Sequence, residues 1–276
     1  MKKPGLGLRQ SKRTPPEGNR KFTIFNKIFV TAIAVCVLPL LEAPAAAQGE
    51  PRDLVKAAFD YWRGKASAST VDMTIERPNW KRQMTIKAWT RGEKDSLFYI
   101  LAPPKDLGNG TLKKGREMWV YNPKVNRVIK LPPSMMSQSW MGSDFSNNDL
   151  AKSDSLLTDY THEVVSTESH DGQDVYVVKS TPLSDAPVIW GMQMLRIRAD
   201  FIFLSEEFFD EDLQSVKIMQ AEEITFLGDR LFPRIWTMRK TGQKDRFTRL
   251  TYRKLKFSDS LPDSLFTLGN LRNPRK

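Results

Sequence analysis

Cysteine and histidine are nearly missing from this sequence. The 276-residue chain holds one Cys and two His. A single Cys excludes a disulfide framework and the Cys-rich zinc patterns, and two His argue against a His-built metal site. No Gly-x-Ser-x-Gly nucleophile elbow occurs. The glycine-rich run Gly108-Asn109-Gly110-Thr111-Leu112-Lys113-Lys114-Gly115 lacks phosphate-loop spacing and a following helix, so it reads as a turn between strands.

The remaining polar clusters have ordinary readings. His162 and His170 fall on or near one predicted hairpin without further ligands, as surface or strand-packing residues. The run from Asp144 through Phe145, Ser146, Asn147 and Asn148 to Asp149 matches a calcium loop at alternate positions. It lacks the sixth-place glycine and the closing Glu, and reads instead as a helix cap before Leu150. Glu206-Glu207 and Asp210-Glu211-Asp212 offer paired carboxylates at a strand end and a turn, where acids are normally solvated. Arg246, Arg249, Arg253, Lys254 and Lys256, interleaved with aromatics, form a basic strand bracketed by Asp245 and Asp259. No site assembles an acid, a base and a nucleophile, so the expectation is a protein that is not an enzyme, with no metal and no cofactor.

The net charge of +11 is misleading. Residues 1–27 carry eight basic side chains against Glu17. An apolar run follows at 28–41, too short for a bilayer span of roughly 20 residues. Then comes Pro44-Ala45-Ala46-Ala47-Gln48. Basic, apolar, small is the order of a secretory signal peptide, with cleavage expected after Ala47. A retained N-terminal anchor is the alternative. Cys36 lies within the apolar run and does not read as a lipidation site. Without residues 1–47 the excess falls to about five positive charges, and a nucleic-acid role loses its support. The expected product is a periplasmic, monomeric single domain over 48–276.

That domain opens with a helix. Asp53 can cap it, Leu54, Val55, Ala58, Phe59 and Trp62 form one stripe, and Gly64 stops it. The period then changes to two. Val71, Met73 and Ile75 alternate with Asp72, Thr74 and Glu76, and after Pro78-Asn79 the residues Met84, Ile86 and Ala88 alternate with polar ones. Further strands are predicted at 96–101, 116–121, 126–131, 163–167, 174–180, 190–198, 203–208, 215–226, 231–239 and 246–257, about eleven or twelve in all. Such regular spacing implies one large antiparallel sheet, curled into a barrel, part-barrel or sandwich. Several strands are apolar on both faces, so both faces need cover, or one lines an apolar hollow.

One long segment, 132–159, shows no strand pattern. It holds Met135, Met136, Trp140, Met141 and Phe145, with Met136, Trp140 and Met141 on one face at helical spacing. Long connections within a compact domain are usually functional or act as cover, and methionine gives an adaptable apolar surface. Two readings stand: a lid over an apolar cavity, or a short helix that closes the core permanently.

Three stretches carry a family resemblance: Met84-Thr85-Ile86-Lys87-Ala88-Trp89-Thr90-Arg91-Gly92, the run from Glu117 to Arg127 with Trp119 and Tyr121, and the string Met135-Met136 … Trp140-Met141-Gly142-Ser143-Asp144-Phe145. With the closing Leu261-Pro262-Asp263-Ser264-Leu265-Phe266-Thr267-Leu268, they resemble the bacterial outer-membrane lipoprotein-sorting protein family, related to the periplasmic lipoprotein carrier LolA. The likeness implies a mainly β fold: a strongly curved antiparallel sheet forming an unclosed β-barrel, with a few helices on its concave side and an apolar hollow for acyl chains. The function it implies is a periplasmic carrier or chaperone of acylated lipoproteins or lipids. Such a carrier passes cargo from an inner-membrane exporter to an outer-membrane acceptor. The residues expected at the ligand are Met135, Met136, Trp140, Met141 and Phe145 in the lid, with Trp119, Tyr121 and Trp190 as wall. The rival reading is a non-enzymatic accessory or interaction subunit of an inner-membrane lipid exporter.

Overall fold

The change of period after Gly64 marks the change from helix to sheet. A computed structural model describes residues 49–274. The signal-peptide reading and Cys36 lie outside the described residues. Helix α1 (Pro51–Arg63) carries its apolar stripe as expected, with Val55, Ala58 and Phe59 buried. Its N-cap is Glu50 rather than Asp53, because Pro51 pre-sets the first helical turn; Asp53 lies inside that turn, where a negative charge suits the helix dipole. Gly64, at a φ of 66°, ends the helix.

Among the described residues, thirteen antiparallel strands follow in a single sheet. They are β1 (Ala66–Arg77), β2 (Trp80–Arg91), β3 (Asp95–Ala102), β4 (Gly110–Lys114), β5 (Glu117–Asn122), β6 (Arg127–Lys130), β7 (Tyr160–His170), β8 (Gln173–Pro182), β9 (Met192–Arg198), β10 (Phe203–Phe209), β11 (Ser215–Leu227), β12 (Arg230–Lys240) and β13 (Phe247–Ser258). The order is β6-β5-β4-β3-β2-β1-β13-β12-β11-β10-β9-β8-β7, so the first and last strands meet in the middle, and β6 and β7 are free edges. The sheet is an unclosed barrel, as expected. The glycine-rich run is not merely a turn: its centre is strand β4, paired with both β3 and β5.

Edge strands β6 and β7 are consecutive in the chain. The segment between them, 131–159, must therefore travel from one free edge of the sheet to the other. It contains the short helices α2 (Asn147–Ala151) and α3 (Ser155–Thr158). Ser146 and Asp149 form a reciprocal capping box at α2, which accounts for the Asp/Asn-rich signal before Leu150.

Period-two alternation decides which side chains face inward. Met73 and Ile75 of β1, Met84 and Ile86 of β2 and Ile100 of β3 pack with Trp140 on one side of the sheet. Farther along, Val178, Leu195, Ile197, Phe203 and Trp236 pack with α1 and α3. The opposite face of β3 and β4 is covered separately, where Leu97, Tyr99 and Leu112 meet Phe266 and Leu271 from the C-terminal segment and helix α4 (Leu268–Arg272). This double cover explains why strand β3 is apolar on both faces.

Where β9 begins, beside the turn that follows β10, the chain passes so close to itself that Gly191 has no room for a side chain. A Cβ there would lie 2.3 Å from the Asp210 carbonyl oxygen and 2.9 Å from Glu211 Cα, both backbone atoms. Its N–H also donates to the Phe209 carbonyl at 3.0 Å. Gly191→Ala is expected to cost about 1–3 kcal/mol, read as a thermal midpoint lower by a few degrees; an unchanged midpoint would contradict the close approach.

Candidate functional site

The inward face does not fill its own interior. A cavity of about 250 Å³ lies within it. The cavity is bounded by Phe59 and Trp62 of α1, by Val71, Ile86, Ala88 and Phe98 of β1–β3, and by Phe232, Trp236, Leu250 and Tyr252 of β12 and β13. Trp140, Phe145 and Leu150 of the crossing segment complete it, with Trp190 and Phe208 at one end. Most of this surface is hydrocarbon or aromatic ring, so water gains little there, and the space suits an alkyl chain.

Of the residues expected at a ligand, the structure brings Trp140, Phe145 and Trp190 to this cavity. Trp140 is buried, donates its indole N–H to Thr111 Oγ1 at 3.0 Å, and meets Phe98 edge-on at 5.5 Å. Met135 and Met136 pack elsewhere, against Met118, Leu131 and Ala151. Met141 packs at the edge of the cluster around Trp140. Helical spacing does not apply to 136–141, because the chain forms a tight hairpin there: Trp140 N–H donates to the Phe145 carbonyl, Ser139 bridges Ser146, and Met141 adopts a φ of 54°. Trp119 and Tyr121 stand on the far face of the sheet, with Leu97, Tyr99 and Phe266, since their parity on β5 points them away from the cavity.

Four aspartates, five residues apart, fasten the crossing segment to the sheet. Asp144 pairs with Arg77 at 3.1 Å and also accepts from Thr248 Oγ1 at 2.7 Å. Asp149 pairs with Lys217, Asp154 with Lys113 at 2.8 Å, and Asp159 with Arg116 at 2.6 Å. The acids suggestive of a calcium loop are thus engaged by basic side chains and by the α2 cap. Residues 132–143, ahead of the first anchor, take part in no ion pair among the described residues, though Arg82 reaches the Met141 carbonyl at 3.3 Å.

Sequence pattern hides the polar groups of the cavity. Arg63 is buried at its wall and donates to the Asp95 carbonyl at 2.8 Å, to Ser96 Oγ at 2.9 Å and to the Gly92 carbonyl; burial pulls its pKa down to about 10. Glu206 shares its inward parity with Phe208 and lines the cavity, contrary to the expectation of a solvated acid. Burial, reinforced by the nearby Asp149 carboxylate and opposed by Lys217, pushes its pKa up to about 8. The Lys217 ammonium sits 4.9 Å from the Trp190 ring and 5.0 Å from that of Phe208. Phe232 and Trp236 share one parity on β12, but nothing in the sequence marks which parity faces a void.

The other chemical candidates are accounted for by packing. His162 bonds Ser180 Oγ through Nδ1 at 2.9 Å, with burial lowering its pKa, while His170 is exposed beside Asp171. No group of three or more potential metal ligands occurs among the described residues. The basic strand β13 is partly neutralised by neighbours: Arg253 pairs with Asp72, and Arg249 lies 3.7 Å from Glu222. Among the described residues, no helix is long and apolar enough to cross a membrane.

Comparison with known proteins places this geometry among related folds. A family model described as "-like: Uncharacterized protein" matches residues 92–273. No curated protein matches the chain. A DUF1329 family protein from Desulfovibrio piger superposes with a TM-score of 0.72 at 22% identity, over 81% of this chain and 100% of that one. A LolA superfamily protein from Nitrosomonas europaea gives 0.67 at 22% identity, over 80% and 99%. A domain of the outer membrane lipoprotein-sorting type from Vibrio parahaemolyticus gives 0.69 at 20% identity, over 81% and 98%. The chain shares the fold of these three.

Proposed function

The chain belongs to the family whose model, described as "-like: Uncharacterized protein", matches residues 92–273, and we propose that it is a carrier that shelters an alkyl or acyl chain in the cavity beneath residues 133–145. Its station is the periplasm, reached by the basic, apolar and small-residue leader at 1–47, with 48–276 working as one domain. The cargo is an acylated lipoprotein or a lipid, taken from an inner-membrane exporter and handed to an outer-membrane acceptor. The role requires binding and release, and no bond making.

One observation carries this reading: an apolar cavity of about 250 Å³ within an unclosed sheet, bridged by the segment that joins the sheet's two free edges. Each methylene moved from water into such a space contributes about 0.8 kcal/mol, so about ten give roughly 8 kcal/mol before ordering costs. The likeness to lipoprotein-sorting folds supports the same direction. Aromatic walls at Trp140, Phe145 and Trp190 add contact area, and the stretch 132–143, held by packing and hydrogen bonds but by no ion pair among the described residues, is the part of the cover that lifts when cargo passes.

Titration with a glyceride bearing one pyrene-labelled acyl chain tests this. Saturable one-to-one binding is expected. Ala88→Phe, which grows a ring into the cavity, should weaken it at least about tenfold. Absence of saturable binding, or an Ala88→Phe variant that binds as well as the parent, would remove the carrier reading.

A further inference from the structure

The cavity has a polar end around Trp190 and Phe208, where the buried side-chain atoms without a hydrogen-bond partner are acceptors. Three donor groups there have partners. Lys217 gives its ammonium to Asp149, Tyr160 donates its hydroxyl to the Trp190 carbonyl at 3.2 Å, and Lys152 donates to the Pro187 carbonyl. Asp149 Oδ1 and Gln193 Oε1 are buried without a hydrogen-bond partner, and Gln193 is only 4% exposed. Glu206 lines the same end; burial pushes its pKa up to about 8, so near neutral pH its carboxyl offers a guest a carbonyl acceptor and one O–H donor. The groups facing Glu206 are Asp149 from α2, Lys217 from β11 and Tyr160 from β7.

Buried acceptors without donors are rare in proteins, and at a ligand site they mark where a guest supplies the missing hydrogens. A carboxylate or phosphate head would bring more acceptors and a second negative charge beside Asp149. A hydroxyl or an amine brings donors. The other walls, at Phe232, Leu250 and Leu255, are apolar and suit the tail, apart from the Trp236 indole N–H, which is buried without a partner.

We propose that the Trp190 end of the cavity, with Asp149, Gln193 and Glu206, holds the head of the guest, and that this head is a hydrogen-bond donor without negative charge. The assignment rests on reading the cavity as a site for alkyl chains and names the class of molecule it accepts. It excludes free fatty-acid anions and phosphate-headed chains whose head must reach this end.

Calorimetric titration of the purified protein near neutral pH with dodecanol, dodecylamine and dodecanoate tests it, since the tails are equal and only the heads differ. Dodecanol or dodecylamine, or both, should bind at least about tenfold more tightly than dodecanoate. Preference for the alcohol identifies a hydroxyl head, and preference for the amine a cationic one. Glu206→Leu and Gln193→Leu each remove part of the polar end, and at least one should shrink the preference to under about threefold without weakening dodecanoate. The inference is overturned if dodecanoate binds as tightly as the other two, or if both variants keep the full preference. Binding of none of the three overturns the carrier reading itself, which separates that failure from this one.

Discussion

Lys113→Ala is expected to lower the unfolding free energy by about 3–5 kcal/mol, the usual effect of leaving one partner of a buried ion pair alone. Lys113 lies on β4 with its side chain fully buried. Its ammonium donates to Asp154 Oδ1 at 2.8 Å and to the Glu93 carbonyl at 3.2 Å. Burial pulls the lysine pKa down, and the bond to Asp154 pulls it back up in part. Truncation leaves the Asp154 carboxylate, 7% exposed, without its counter-charge, and leaves a void where the stem packed. A double variant, Lys113→Met with Asp154→Leu, removes both charges and should recover most of the loss, because the pair's attraction largely offsets its own desolvation. Urea titrations of the three proteins give the comparison. A Lys113→Ala midpoint indistinguishable from the parent's, at equal slope, would show that Asp154 is solvated after all.

Glu206 should make the protein less stable as pH rises. Its folded pKa, pushed up to about 8, lies far above the usual carboxylate value, chiefly because of burial. Across the interval from about pH 4.5 to about pH 8 the folded state therefore holds a proton that the unfolded state has released. Stability is highest below the unfolded pKa and declines until the folded pKa is passed. The full decline attributable to this group is on the order of 5 kcal/mol. Glu206→Gln keeps the shape and removes the titration. Its expected signature is a flatter stability profile, with the variant exceeding the parent by a few kcal/mol near pH 9. Parallel profiles for the two proteins would mean that Glu206 ionises freely. Asp149, Lys217 and Tyr160 remain in the variant, so its residual pH dependence reports them.

These two residues also show where the sequence is opaque. Strands β1 and β2 were legible because Val71, Met73 and Ile75, then Met84, Ile86 and Ala88, alternate with polar side chains, and a half-buried sheet demands that pattern. Strand β4 was not. Two of its five residues are lysines between glycines, and lysine is ordinarily solvated. What buries Lys113 is Asp154, far along the chain, and a contact of that kind leaves no local trace. Glu206 is hidden for the same reason: the neighbouring Glu207 and the acidic turn after it look like ordinary surface. The segment around Trp140 was legible as a break in the strand pattern, since no period of two runs through it. Its internal geometry was not, because helical spacing of Met136, Trp140 and Met141 competes with a hairpin closed by Trp140 and Phe145. The wall residues Trp119 and Tyr121 illustrate a further limit of pattern. Alternation tells which residues share a face, while the C-terminal residues Phe266 and Leu271 decide that this face is a second core rather than the cavity.

The order of strands has a mechanical consequence. A sealed barrel admits a bulky guest only by tearing a seam, and each torn rung is a backbone hydrogen bond lost. Here the rim between β6 and β7 was never stitched, so the sheet can gape or tighten by changing its twist while every rung stays intact. The strap that spans this rim is the same polypeptide that roofs the hollow, moored on both sides by aspartates. Widening the rim and raising the roof therefore draw on the same length of chain.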